Sequence, residues 1–256
     1  MEIGCMRNQA VIIPALNPNE SLVDYVKALL SEGFKEVIVV NDGSKTECTH
    51  IFQNLAAINH CNVLTHSVNR GKGRALKTAF QFFLQKFSHL NGVLTADADG
   101  QHAVVDVCRV GDELSRNENQ LVLGIRNFKE SNVPKRSYLG NTVTSFIFYV
   151  LFRKKLVDTQ TGLRGIPTKE LERMLALKGE RYEYEINMLI YAIKRKLKIG
   201  EVPIQTIYYD NNAGSYYKTV KDSWKIFRKL MSGFLTFNWK YKKLLKDAKP
   251  TGDWHE

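Results

Sequence analysis

Absences set the first bounds on this chain of 256 residues. Its four cysteines, Cys5, Cys48, Cys61 and Cys108, lie far apart, with no C-x-x-C pair and no histidine at a partnering distance. That argues against a structural zinc site or a disulfide framework and suits a reducing, cytoplasmic setting. No apolar run approaches the ~20 residues that a membrane-spanning helix requires. The longest, Phe146-Ile147-Phe148-Tyr149-Val150-Leu151-Phe152, stops at Arg153-Lys154-Lys155. No charged segment followed by an apolar run stands at the N-terminus, so no signal peptide is expected. The dinucleotide fingerprint G-x-G-x-x-G and the phosphate loop G-x-x-x-x-G-K-[ST] are both missing, which argues against a nicotinamide dehydrogenase and a P-loop NTPase. With no internal repeat and no low-complexity linker, the expectation is one domain over residues 1–217 and a C-terminal extension over 218–256.

What the chain does contain is an ordinary globular interior under an uneven charge. Hydrophobic residues make up 44% and charged residues 25%, enough to bury a core at this length. The net charge is +11. Residues 216–249 hold ten Lys/Arg against two Asp, interleaved with Trp224, Phe227, Leu230, Phe234 and Trp239. Such a basic amphipathic stretch suits an anionic membrane surface or a nucleic acid.

Apolar runs at 9–14, 37–40, 62–64, 92–94 and 120–124 predict buried strands. Helical periodicity predicts helices at 21–30, with Ser21 as N-cap, and at 73–87. Strands alternating with helices imply βαβ units and a mostly parallel, Rossmann-like sheet covered on both faces. Beyond Pro134 the pattern changes. A nearly all-apolar helix is expected at 138–152, a strand at 161–166, a helix at 184–195, and an edge strand at 199–204 containing Pro203.

The most informative stretch is Thr95-Ala96-Asp97-Ala98-Asp99-Gly100-Gln101-His102, where two carboxylates separated by one residue follow a buried strand. Ligands of open α/β sheets bind at the carboxyl ends of strands. Alternation along an extended chain would aim Asp97 and Asp99 to one side. Two anions that close call for a cation, and Mg²⁺ or Mn²⁺ with oxygen ligands also holds substrate phosphates. A solvated Asp/Gly turn is the plain alternative. Three more polar clusters end strands: Pro14-Ala15-Leu16-Asn17, Asp42-Gly43-Ser44 and Asn69-Arg70-Gly71-Lys72-Gly73. All four should meet at one rim. There Asp42 can accept from ribose hydroxyls or a base N–H, and Arg70 can offer its planar fork to a base or phosphate. A metal at Asp97 and Asp99 would neutralise a diphosphate leaving group.

Taken in order, Val11-Ile12-Ile13-Pro14, Val39-Val40-Asn41-Asp42-Gly43-Ser44, Asn69-Arg70-Gly71-Lys72-Gly73 and Asp97-Ala98-Asp99-Gly100-Gln101-His102 resemble the family 2 inverting glycosyltransferases. More narrowly they resemble the dolichyl- or polyprenyl-phosphate sugar transferases. Asp158-Thr159-Gln160-Thr161-Gly162-Leu163-Arg164 and Arg181-Tyr182-Glu183-Tyr184-Glu185 are similar to later motifs of that subgroup, and the resemblance spans residues 11–228. It implies a GT-A type fold. It also implies a donor nucleotide site that includes Pro14, Ala15, Glu20, Asp42 and Arg70. Asp97, Ala98, Asp99 and Gln101 would surround the diphosphate, with Asp97, Asp99 and Gln101 around the metal. Arg126 would face the phosphates, Asp158 would lie near the reacting centre, and Lys218 would follow a loop over the donor. Two departures stand out. Many relatives have two aspartates where this chain has Asn41-Asp42, though Asn41 can still cap the turn. Many also carry C-terminal membrane spans, for which this chain has no apolar run.

The acceptor remains open at this level. A lipid phosphate is already an anion and needs cations, for which Arg126, Arg136 and Arg164 are candidates, each also readable as a structural cation. A glycan hydroxyl, as in cell-envelope or capsule polysaccharide synthesis, needs a carboxylate base, and Asp158 or Glu185 would serve. The aromatics Phe146, Phe148, Tyr149 and Phe152 beside a basic flank suit a helix lying in a membrane interface, or simply a buried one. The expected partners are a nucleotide diphosphate sugar, a polyprenyl phosphate or glycan acceptor, and the inner face of a membrane, to which a separate membrane subunit could also hold the protein. A nucleic-acid-binding module is the rival from another class, but it leaves the paired aspartates without a purpose.

Overall fold

The computed structural model describes residues 7–127 and 135–205, with backbone alone over 135–140. Lys218, the basic C-terminal stretch and the proposed boundary at 217 lie outside the described residues, and so does the side chain of Arg136.

The N-terminal half forms as its apolar runs require. Strand β1 (Arg7–Ala15) carries Ala10, Val11, Ile12 and Ile13, all fully buried. Because successive side chains point to opposite faces, Ala10 and Ile12 join one core cluster while Val11 and Ile13 join the other. Strand β2 (Phe34–Asp42) divides in the same way, Ile38 and Val40 against Val37 and Val39. A sheet buried on both faces needs continuous rather than alternating hydrophobicity, which these strands have.

Between these strands runs α1 (Ser21–Ser31), which buries Leu22, Val26 and Leu29. Its N-cap is Glu20 rather than Ser21. The carboxamide of Asn19 accepts the Ser21 N–H at 3.1 Å, so the capping oxygen comes from one residue further upstream. After α2 (Thr49–Ala56), β3 (Cys61–His66), α3 (Lys72–Lys86), β4 (Gly92–Thr95), α4 (Val104–Arg116) and β5 (Gln120–Arg126) complete this half. The second half contributes α5 (Lys135–Phe152), β6 (Arg164–Pro167), α6 (Thr168–Leu175), α7 (Glu183–Lys194) and β7 (Lys198–Ile204).

The seven strands among the described residues order as β3-β2-β1-β4-β6-β5-β7. β1, β2, β3 and β4 pair in parallel, and so do β5 and β7. β6 is the exception, antiparallel to both β4 and β5, with Thr95 opposite Arg164 and Gly92 opposite Pro167. Its reversed direction has a consequence for the site. The segment that enters β6, residues 158–163, arrives at the same rim as the carboxyl ends of its neighbours. The rim also contains the point where the order reverses around β1, between its neighbours β2 and β4, the place where open α/β sheets bind ligands.

Candidate active site

Four loops meet at this rim, and each is fixed by contacts to another. Asn17, held in the left-handed region at φ 49, accepts the Lys45 N–H at 2.8 Å, while its own N–H donates to Ser44 Oγ at 2.9 Å. Asn41 accepts the Ser44 N–H at 2.9 Å and so caps the turn after β2.

Asp42 is buried, and both of its oxygens are engaged by this chain. Oδ1 accepts the Arg70 N–H at 2.9 Å and faces His66 Nδ1 at 2.7 Å, and Oδ2 accepts the Gly71 N–H at 2.7 Å. The other ring nitrogen of His66 lies 2.9 Å from Thr78 Oγ1. Asp42 thus braces the Arg70 loop, leaving the Arg70 side chain exposed at the rim. Gly71 stands at φ 100, and a Cβ there would lie 2.4 Å from the Glu180 carbonyl oxygen. Only glycine lets the 70–73 loop approach the 180–184 segment that closely.

That approach brings the start of α7 against the start of α3. Arg74 N–H donates to the Glu180 carbonyl at 3.0 Å, and Lys77 pairs with the Glu180 carboxylate at 3.1 Å. As a result Lys72, the first residue of α3, lies between two carboxylates: Asp97 Oδ1 at 2.7 Å and Glu185 Oε1 at 3.0 Å. Burial alone would lower the Lys72 ammonium, but Asp97 and Glu185 outweigh it and raise it above its ordinary value. Burial would likewise raise Asp97, yet Lys72 and then His102 hold its carboxyl well below the usual range.

The paired aspartates do not continue the strand. β4 ends at Thr95, and Ala98 and Asp99 form a turn completed by Gly100 at φ 74. Strand alternation therefore does not extend to them, and the two differ in environment. Asp97 is partly buried, and its Oδ2 lies 3.3 Å from His102 Nε2. Asp99 is exposed and accepts the Gln101 N–H at 3.1 Å. Partial desolvation first, and the Asp97 charge second, hold the Asp99 carboxyl above its ordinary value.

On the far side, Asp158 has no exposure and grips Arg126 with both oxygens, at 2.6 Å to Nε and 2.9 Å to Nη2. A fork-on-fork pair of this kind fixes the guanidinium in position and plane. Asp158 Oδ1 also accepts the Gln160 N–H at 3.0 Å. From α5, the Asn141 carboxamide ties down the same segment, donating to the Val157 carbonyl at 2.7 Å and accepting the Thr159 N–H at 3.2 Å.

Arg164 is only 1% exposed. It donates to the Thr161 carbonyl at 3.0 Å and the Glu185 carbonyl at 2.5 Å. Its cation thus joins the 158–164 segment to α7 from inside the fold, where an acceptor-facing arginine was expected. Glu20, expected beside the donor, pairs with His50 on the exposed side of α1. Pro14 and Ala15 end β1 at the rim as expected. Of the two readings of α5, an interfacial helix or a buried one, each holds for part of it: Phe148 is fully buried in the core, while Phe146, Tyr149 and Val150 are exposed.

The sequence model described as Glycosyl transferase family 2 matches residues 10–172. The chain belongs to glycosyltransferase family 2.

Among its relatives is a UDP-N-acetylglucosamine--dolichyl-phosphate N-acetylglucosaminyltransferase of Methanococcus voltae. It is 34% identical over 242 residues, covering 86% of this chain and 94% of that protein. A dolichyl-phosphate beta-glucosyltransferase of Saccharomyces cerevisiae is 26% identical over 191 residues, covering 66% of this chain and 56% of that one. These relatives support placing this glycosyltransferase in the polyprenyl-phosphate subgroup. Among solved structures, glucosyl-3-phosphoglycerate synthase from Mycobacterium tuberculosis superposes with a TM-score of 0.65 at 21% identity, covering 88% of this chain and 80% of that one. The fold is thus GT-A type.

Two side chains central to the site, Lys72 and His102, were not assigned roles from sequence, although both lie inside the quoted motifs. The partners of Lys72, Asp97 and Glu185, come from distant parts of the chain. A local motif shows that a lysine is there but not which carboxylates it will meet.

The donor set suits a hard divalent ion. Among the described residues no three His, Cys, Asp or Glu side chains converge as a cage. Mg²⁺ is commonly held by one or two carboxylates with water and substrate phosphates completing its shell. Asp99 offers an exposed carboxylate for this, Asp97 lies two residues away, and the buried Nδ1 of His102 has no hydrogen-bond partner among the described residues. Gln101 lies in the same loop.

Proposed function

We propose that this glycosyltransferase transfers one sugar, with inversion, from a nucleotide diphosphate sugar to a polyprenyl phosphate at a membrane surface, with Mg²⁺ or Mn²⁺ as cofactor. The observation that carries the choice of acceptor is the engagement of both carboxylates the sequence offers as a base. Asp158 is sealed against Arg126, and Glu185 is paired with Lys72. A hydroxyl acceptor would need one of them free to take a proton. A phosphate oxygen is already anionic, so the same arrangement suits it without further change. The Methanococcus voltae and yeast relatives are both dolichyl-phosphate sugar transferases, which supports the same acceptor, and the former makes a UDP-linked sugar the first donor to test.

In this reading the acceptor phosphate oxygen forms a bond to the anomeric carbon from the face opposite the diphosphate. The anomeric C–O bond breaks, and its electron pair leaves with the nucleoside diphosphate. Arg126, oriented by Asp158 at the end of β5 and with 17% of its side chain exposed, holds phosphate charge near the sugar. Arg70 and the end of β1 at Pro14-Ala15 border the nucleotide, while Asp42 acts from behind by shaping the Arg70 loop. When bound, a divalent ion held by Asp99, with Asp97 and Gln101 beside it, supplies neutralisation of the leaving diphosphate.

Peripheral attachment at the cytoplasmic face completes the proposal. Among the described residues no helix is long and apolar enough to cross a membrane. α5 nevertheless exposes Phe146 (65%), Tyr149 and Val150 just before Arg153-Lys154-Lys155, a combination suited to headgroup depth.

The test is transfer from radiolabelled UDP-N-acetylglucosamine, UDP-glucose and GDP-mannose to a short polyprenyl phosphate in detergent with Mn²⁺. Label from one donor should enter an acid-labile, organic-soluble product of inverted configuration. Label that enters a glycan acceptor offered in a parallel reaction, with none in the polyprenyl phosphate, would overturn the choice of acceptor.

A further inference from the structure

The two aspartates of the Asp97-Ala98-Asp99 turn are in opposite states. Asp99 is exposed and, among the described residues, accepts the backbone N–H of Gln101. Asp97 is enclosed on several sides. The Lys72 ammonium lies 2.7 Å from Oδ1, His102 Nε2 lies 3.3 Å from Oδ2, and Gly162 is packed behind. A Cβ at position 162 would stand 2.3 Å from Oδ2 and 2.8 Å from Oδ1. Lys72 also touches Glu185 at 3.0 Å, so one ammonium neutralises carboxylates contributed by two separate segments.

We infer that Lys72 is a built-in counter-cation that keeps Asp97 from a divalent ion until a nucleotide diphosphate arrives, so that metal and nucleotide bind together. The inference rests on the metal-dependent donor reading given above. A divalent ion approaching Asp97 meets an ammonium already in place, and like charges at that range repel strongly in a partly dry site. Asp99 alone is a weak anchor for such an ion.

The diphosphate changes the balance. Lys72 opens α3, and a helix N-terminus already favours phosphate oxygens. The lysine ammonium is a compact charge on a flexible stem. It can therefore turn from Asp97 to the diphosphate, which brings its own oxygens for the metal and releases the carboxylate. The ammonium is the element with two arrangements, and each ligand favours the same one. Linkage then requires that metal and nucleotide strengthen each other by the same factor.

The experiment measures Mn²⁺ binding to the purified full chain by electron paramagnetic resonance of the free ion, with and without UDP or GDP. In the unmodified protein the nucleotide should raise Mn²⁺ affinity by about thirtyfold or more, within the usual range of site-to-site coupling. Lys72→Met should bind Mn²⁺ about tenfold more tightly without nucleotide and lose most of the coupling, while Lys72→Arg, which keeps the charge, should retain it. Lys72→Met with nucleotide-free affinity equal to or below that of the unmodified protein would overturn the inference. So would an unmodified protein in which both ligands bind but neither affects the other, a result that does not depend on any variant folding. Failure to bind either nucleotide at all, with metal present, would instead remove the donor-site reading, and this inference with it.

Discussion

Replacing Asp99 with alanine is expected to lower kcat by about two to three orders of magnitude, the usual loss when a group that stabilises developing charge is removed. The same substitution should barely change stability. Asp99 is exposed and accepts one backbone N–H in a turn, and surface changes of that kind stay within about 0.5 kcal/mol. Steady-state turnover at saturating donor, set beside a thermal melt, checks both halves. Asp97 should behave differently, since Lys72 and His102 both depend on its charge. Asp97→Asn is therefore expected to lower the melting temperature as well as turnover. Equal effects from the two aspartates would contradict their unequal placement.

The second large effect is expected at Asp158. Asp158→Asn leaves the Arg126 guanidinium facing a neutral amide inside the fold, with the Arg164 cation buried in the same region. Breaking a buried pair by removing one partner costs about 3–5 kcal/mol, because the remaining charge is left uncompensated. Urea denaturation should record that loss, and Arg126→Met should rescue part of it when combined with Asp158→Asn, since the pair then disappears together. A variant of native stability that had lost only turnover would instead make Asp158 a proton acceptor, and would reopen the hydroxyl acceptor that its pairing argues against.

These two residues also mark how far the sequence could be read. The strands were legible because a sheet covered on both faces needs unbroken runs such as Val11-Ile12-Ile13 and Val37-Ile38-Val39-Val40, which few other structures require. The order of loops at the rim followed from that sheet. The orientation of β6 did not, because a four-residue strand carries no periodicity that distinguishes parallel from antiparallel pairing. α2 and α6, at eight residues each, were too short for their helical pattern to stand out. α4 differs from both: its buried face of Val107, Val110 and Leu114 has helical spacing that is present in the sequence.

Within the site, residue types were legible and their partners were not. Asp158, Glu185 and Arg164 were recognised as important charges, and the sequence left open whether each meets substrate or another part of the chain. The answer depends on contacts that span 32 positions for Asp158 with Arg126 and 21 for Arg164 with Glu185. Periodicity reports only on the nearest turn or two of chain. The same limit explains Lys72, whose two carboxylates come from the loop after β4 and from α7. The cap of α1 is a local matter instead: the cap position falls to Glu20, and Asn19, two residues before Ser21, supplies the oxygen.

The central claim is that this rim binds a nucleotide diphosphate through a metal held at Asp99. Calorimetric titration of UDP and of GDP into the purified protein, with and without Mn²⁺, tests it most directly when repeated on Asp99→Ala. The account predicts metal-dependent binding of one of the two nucleotides, lost in the variant. A folded protein that binds neither nucleotide with Mn²⁺ present, or that binds one equally well with Asp99 removed, would contradict it.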